Sequence, residues 1–170
     1  MNVYYYKGLS KHYFKSVIYN IIKIGKLQET TKIILDFGCG SKILSSELKN
    51  KKVLNYDLDP KYSEHSDYKN LFFDIAVFNH VLMYMSEREI ILTLQNIKKI
   101  NKNCYLIVGI GKEGLLNKLA ALASFNFKAH KGTLTNYEQQ LTVLKKEMKI
   151  LKEKKNIFFM TDVYYLTFKD

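Results

Sequence analysis

The segment Ile34-Leu35-Asp36-Phe37-Gly38-Cys39-Gly40 constrains this chain more than any other. Lys32–Phe37 is a short, nearly continuous apolar run, the pattern of a strand buried on both faces in a parallel sheet. It carries one acid, Asp36, and runs directly into Gly-x-Gly; Ile43, Leu44 and Leu48 then give the next segment a helical apolar face. Glycines let the chain turn sharply and come close to a ligand with no Cβ in the way. A helix opening after such a loop points its free N–H groups and the positive end of its dipole at the same place. In open α/β sheets, ligands bind at the carboxyl ends of the strands, so this loop is where one belongs.

The rest of the chain alternates helix and strand patterns. Ser10 is placed to cap a first helix whose inner face carries Phe14, Val17 or Ile18, Ile21 and Ile22. Further strands are expected at Lys52–Asp57, Phe73–Asn79 and Cys104–Ile110, with the polar stretch Leu58–Asn70 irregular. Ser86 with Glu89, and Thr135 with Glu138, read as capping boxes opening two more helices. Leu115–Phe125 is an apolar helix by pattern, and the C-terminus reads as a hairpin turning at Thr161–Asp162. No internal repeat, linker or domain boundary interrupts residues 1–170, which suit one domain of α/β class.

Asp57 ends the second expected strand, where a carboxylate can accept both hydroxyls of a ribose. Glycine loop plus acid reads as a site for an adenosine-containing cofactor. A dehydrogenase fingerprint needs a third glycine, and Ile43 stands there; no Walker sequence is present. The segment ILDFGCG, followed by NYDLDP around Asp57 and by FDIAVFNHVLMYM at Phe73–Met85, resembles the shared motifs of class I S-adenosylmethionine-dependent methyltransferases. The resemblance covers essentially the whole chain. It implies a Rossmann-like methyltransferase fold, a mostly parallel sheet with a C-terminal antiparallel hairpin. It also implies S-adenosylmethionine as cofactor, with Asp36, Gly38, Cys39 and Gly40 facing its amino-acid part and Asp57 with Leu58 its ribose side. The family's third strand carries an acid that contacts adenine. Only sixteen residues lie between Asp57 and Asp74, so that strand is expected to be short or missing. Asp67 is then either the adenine contact or a plain loop aspartate.

Methyl transfer from a sulfonium is a direct displacement, so the protein mainly aligns the reactants and excludes water. A base is needed only where the acceptor holds its proton. His80, just after the Phe73–Asn79 strand, is either that base or a side chain closing the pocket. His130 lies in a polar loop as either a substrate contact or an exposed histidine. Asn79 contacts cofactor or substrate, or closes the loop; Asp36 contacts the ligand or holds loop N–H groups. Tyr84 suits a pocket wall, and His12 and Tyr13 a lid or the core, while the placement of Tyr4–Tyr6 stays open. The Asn/Asp-Pro-Pro-aromatic motif of base-amino methyltransferases has no counterpart: Asn79-His80-Val81-Leu82 lacks both prolines.

Charge bears on partners. The net charge of +11 admits nucleic acid or an anionic small molecule, though the lysines are spread along the sequence, with no aromatic-interleaved RNA motif. Cys39 is expected after the C-terminal end of one strand and Cys104 at the start of another, which puts them at opposite ends of the sheet if those strands are parallel. Such strands span roughly 20 Å and a disulfide needs Cα atoms within about 7 Å, so two free thiols are expected, and no metal. No stretch approaches the roughly 18 apolar residues of a membrane span, and the N-terminus lacks the apolar core of a signal peptide; a cytoplasmic protein without membrane contact is expected. The expected activity is methyl transfer to a small molecule, of unspecified oligomeric state. An RNA- or protein-directed methyltransferase and a non-catalytic partner module are the rival readings.

Overall fold

The computed structural model describes residues 9–112, 132–155 and 160–169. Helix α1 (Leu9–Gly25) precedes strand β1 (Ile34–Phe37); α2 (Ile43–Glu47) and β2 (Val53–Tyr56) follow. A 3-10 turn at Tyr68–Asn70 leads to β3 (Ile75–Asn79), and a second at Leu82–Tyr84 leads to α3 (Glu87–Ile100) and β4 (Tyr105–Gly111). Helix α4 (Tyr137–Glu147) then runs into β5 (Met148–Lys155), which pairs with β6 (Thr161–Phe168).

The strands form one sheet in the order β2-β1-β3-β4-β6-β5. The first four are parallel, and β6 runs antiparallel to both of its neighbours. Side chains alternate across a strand, and here both faces are covered. Ile34, Ile75, Val77, Ile107 and Val163 pack under α1 and α2. Leu35, Phe37, Phe78, Leu106 and Leu166 pack under α3 and α4. That two-sided burial is why the strand sequences read as continuous apolar runs rather than alternating ones.

The expected α/β sheet with its closing antiparallel pair is present, and the third strand of the family pattern is absent: residues 58–74 contain only the 3-10 turn. Other expectations need correction. Ser10 lies within the described part of α1, so it does not cap it. Thr135 is not a cap either. It is 3% exposed, and its hydroxyl donates to the carbonyls of Leu82 and Met85. Asn136, one residue on, takes the cap and forms the capping box with Gln139. Ser86 and Glu89 do form theirs. Thr161 and Asp162 are not a turn but the first residues of β6, paired with Gly111 and Ile110 of β4. A polar pair reads as a turn only while the partners that satisfy it are unseen. The expected helix at Leu115–Phe125 and the tyrosines Tyr4–Tyr6 lie outside the described residues. Among the described residues no helix is long and apolar enough to cross a membrane. Cys39 and Cys104 are both buried and free.

Candidate functional site

The loop after β1 turns where the sequence places it. Gly38 has φ +73, and a Cβ there would come within 2.4 Å of Val81 Cγ2. Gly40 has φ +45, and nothing lies within 4 Å of where its Cβ would stand. One glycine thus permits close packing, and the other borders open space at the carboxyl edge of the sheet. The amides of Gly38 and Cys39 both donate to the carbonyl of Tyr56, at 2.8 and 3.1 Å. The Gly40 amide donates to Asp57 Oδ2 at 2.9 Å, and the Asp59 amide donates to Asp57 Oδ1 at 3.0 Å. The sequence separates loop and acid by 17 residues; the parallel β1–β2 pairing brings them into contact. Helix α2 is only five residues long and opens at Lys42 without a side-chain cap, so its dipole adds little to the site.

On the α1-facing side of the sheet, three polar residues stand near the strand ends. Asp36 is opposite Asn55 of β2 and Val77 of β3, and Asn79 follows two residues after Val77. Asp36 is 5% exposed, and no described residue hydrogen-bonds its carboxyl group. Burial, helped by the nearby charge of Asp57, pushes its pKa from 3.8 up to about 7. Asn55 Nδ2 donates to Glu64 Oε2 at 3.0 Å, but Asn55 Oδ1 has no partner, and neither has the buried Asn79 Oδ1. Buried polar atoms left without partners are costly. Together with the unbonded carboxyl of Asp36 they make an electronegative row beside the open space at Gly40.

The other expected site residues surround this row. Leu58 follows Asp57 and is 82% exposed, an apolar surface at the mouth of the loop. Asp67 caps the Tyr68–Asn70 turn by accepting from the Lys69 amide at 3.0 Å, and its charge reaches Tyr56 at the end of β2. Cys39 is buried; burial, then Asp36 and Asp57, push its thiol up to about 12, so it is not a nucleophile at neutral pH.

His80 has φ +58, a left-handed conformation that is uncommon for a residue with a side chain. Its amide donates to the Gly109 carbonyl at 3.0 Å, which ties the chain back to β4. Its ring lies by the edges of Tyr13 and Phe14 of α1, and its Nε2 is 2.9 Å from Thr161 Oγ1. Thr161 also bonds the hydroxyl of Tyr13. The bare backbone of Gly109 and Gly111 makes room for Asn79 and the His80 ring: a Cβ at Gly109 would sit 3.2 Å from Asn79 Oδ1, and one at Gly111 would sit 3.4 Å from His80. Tyr13 therefore belongs to the site's rim. Tyr84 is half exposed, and His12 is exposed. His130 lies outside the described residues.

Sequence reasoning missed one cluster. Asp162, 1% exposed, accepts from the Tyr137 hydroxyl at 2.7 Å and pairs with Lys112 Nζ at 2.8 Å. Tyr137 and Tyr164 also share a hydrogen bond of 2.7 Å. Burial raises both phenols: Tyr137 is pushed up further by its bonds to Tyr164 and Asp162, and Tyr164 rises to about 12 although its hydrogen bond with Tyr137 pulls the other way. Alternation along β6 sends Asp162 to the α4 side, and Thr161 to the α1 side with His80. No spacing signal joins Lys112, Tyr137 and Asp162 in the sequence, and the turn reading of Thr161–Asp162 hid both residues. Among the described residues no three His, Cys, Asp or Glu side chains could hold a metal ion.

No family model matches the sequence, and no curated protein matches it. Solved structures do. Magnesium protoporphyrin IX methyltransferase from Synechocystis PCC 6803, crystallised with SAH, superposes with a TM-score of 0.61 at 14% identity, over 96% of this chain and 89% of that one. The N-methyltransferase NodS of Bradyrhizobium japonicum WM9 gives 0.62 at 12% identity, over 92% and 98%. The chain has the class I methyltransferase fold. The PH0226 protein of Pyrococcus horikoshii OT3 superposes on this chain with a TM-score of 0.70 at 12% identity, over 96% of this chain and 93% of that one. Nearly all of the chain is therefore accounted for by the fold, whose outer strand beyond β2 is here replaced by the loop of residues 57–74.

Proposed function

We propose that this chain binds S-adenosylmethionine at the carboxyl edge of β1 and β2 and transfers its methyl group to a small-molecule acceptor. The observation that carries the reading is the electronegative row formed by Asp36 and Asn79 with Asp57 beside open space at Gly40. The donor set fits the cofactor. S-adenosylmethionine brings an ammonium and a sulfonium to a place where burial and the neighbouring Asp57 make a charge on Asp36 costly and two amide oxygens lack partners. A ribose fits Asp57, whose carboxylate is already fixed by Gly40 and Asp59 amides, and adenine fits between Leu58 and the turn that Asp67 caps. Structural neighbours crystallised with SAH or SAM support the cofactor, and neighbours named as methyltransferases of magnesium protoporphyrin IX and of mitomycin support the acceptor class.

Bound there, the cofactor supplies an electrophilic methyl group. The chain's own part is positioning. Gly38 and Gly40 allow close approach, Asp36 and Asp57 hold cationic and hydroxyl groups, and Asn79 presents an oxygen at the strand end. His80, Tyr13 and Thr161 rim the acceptor side. The hydrogen bond between His80 Nε2 and Thr161 Oγ1 orients the imidazole, and in the tautomer whose Nε2–H donates to the threonine oxygen, Nδ1 is the atom that would take a proton from an acceptor. The cytoplasm remains the expected setting.

Calorimetric titration with S-adenosylmethionine and S-adenosylhomocysteine tests the reading. Micromolar binding of either is the expected result. A well-folded protein that binds neither would leave the methyltransferase fold as a partner module without cofactor.

A further inference from the structure

The fold brings a subset of the lysines that are scattered in the sequence together on one side of the sheet. Helix α1 contains no acidic residue, and Lys15, Tyr19 and Lys23 recur along it at a spacing of four, all exposed. Residues four apart share a helix face, so these three form one ridge. Beside the ridge lies β5, where a bulge decides the surface. Lys149 pairs with Thr167, and Lys152 and Lys154 pair with Tyr165 and Val163, with the register shifting between Ile150 and Lys152. Residues directly opposite in a ladder share a face, and Val163 and Tyr165 face α1. The extra residue, Leu151, therefore puts Lys149, Lys152 and Lys154 together on the α1 side and sends Glu153 to the other. Without the bulge, Leu151 and Glu153 would share a face with Lys149.

Tyrosines interleave with these cations. Tyr19 is 60% exposed, with Lys23 Nζ 5.8 Å and Lys154 Nζ 5.9 Å from its ring centre. Lower on the same face Tyr105 and Tyr165 stack at 5.2 Å with planes 10° apart, and Lys32 and Lys152 lie over them. The helices of the opposite face mix their charges, with Glu87 and Glu89 opening α3 and Lys98 and Lys99 closing it.

We infer that the α1–β5 face is a docking surface for single-stranded nucleic acid. Its chemistry is that of such surfaces: cations spaced along a track, with aromatic rings between them on which bases stack. A membrane-binding face would instead present apolar anchors among its lysines, and tyrosine is what this ridge offers. The inference goes beyond methyl transfer and does not depend on it.

The test is fluorescence anisotropy of a labelled oligouridylate of about 20 nucleotides with the full chain. If about five lysines each neutralise a phosphate, affinity should fall roughly a hundredfold between about 50 and 200 mM potassium chloride. The pair Lys152→Glu with Lys154→Glu should lose at least tenfold at the lower salt, while Lys99→Glu with Lys102→Glu, an equal charge change on the α3 side, should change affinity less than about twofold. Tyr19→Ala should lose about tenfold where Tyr19→Phe binds as the parent does. Circular dichroism on each variant shows that it is folded. Equal losses for the two lysine pairs would reduce the effect to net charge and overturn the assignment, as would no binding at low salt. Binding to phosphatidylserine vesicles but not to the oligonucleotide would overturn it in favour of a membrane surface.

Discussion

Replacing Asp36 by Asn should make the protein more stable while abolishing cofactor binding. Asp36 ionises near 3.8 in an unfolded chain and only near about 7 in the folded one. Below the lower value both states hold the proton, and the site costs nothing. Between the two values the unfolded chain releases a proton that the folded chain keeps, so stability falls as pH rises; above about 7 the full cost is present. At about 1.4 kcal/mol per pH unit, the gap of roughly three units amounts to about 4 kcal/mol. A buried amide without partners gives back about 1–2 kcal/mol of that, leaving a net gain of about 2–3 kcal/mol for Asp36→Asn at pH 8. For a chain of this size that is a rise in Tm of roughly 5–10 °C. Thermal and urea unfolding of both proteins at pH 8 and pH 4 measure it. The gain should be present at pH 8 and gone at pH 4. A variant no more stable than the parent at pH 8, or a difference independent of pH, would refute the argument that Asp36 is held at a cost for its ligand.

Three further outcomes follow from the same geometry. Affinity for S-adenosylmethionine should be full above pH 7 and fall towards tenfold per unit below it, because the cationic ligand binds ionised Asp36; a flat calorimetric profile from pH 8 to 5.5 would remove Asp36 from the site. Gly38→Asp and Asp57→Ala should each abolish cofactor binding in the same titration, the first by driving a side chain into Val81 and the second by removing the ribose acceptor; retained binding in both would sink the site assignment. Thr161→Val should cost about 1–2 kcal/mol in urea unfolding, since it removes the hydroxyl shared by His80 and Tyr13 in a site with no exposure; an unchanged midpoint would show that the contact contributes nothing.

The parts of this fold that are local in sequence were legible there. Ile34–Gly40 announces a buried strand and a close turn within seven residues, and Ser86 with Glu89 makes its capping box across one helical turn. What was not legible depends on partners far along the chain. Thr135 looks like a cap until Leu82 and Met85 offer their carbonyls, and Asn136 then takes the role. Thr161 meets Tyr13 across 148 residues, and no periodicity carries that information. In the site, Asp57 and the glycine loop were expected together because both end neighbouring strands. The unpartnered oxygens of Asn55 and Asn79 were not, because being unpaired is a property of the folded surroundings and not of the residue.

The absent outer strand leaves β2 as the border of the sheet, and a border strand is a template on which another chain can add its own. Here the 57–74 loop folds back on that border. The Glu64 amide donates to the Asn55 carbonyl at 3.0 Å, and the Glu64 carboxylate is held by Asn55 Nδ2 and by Lys42 at 2.7 Å. One glutamate thus occupies the backbone position that a fibril or a swapped neighbour would use. The opposite border is guarded by the lysines of β5, which repel a second copy of themselves. At both borders of the six-stranded sheet, side chains stand where a neighbouring chain would add a strand of its own.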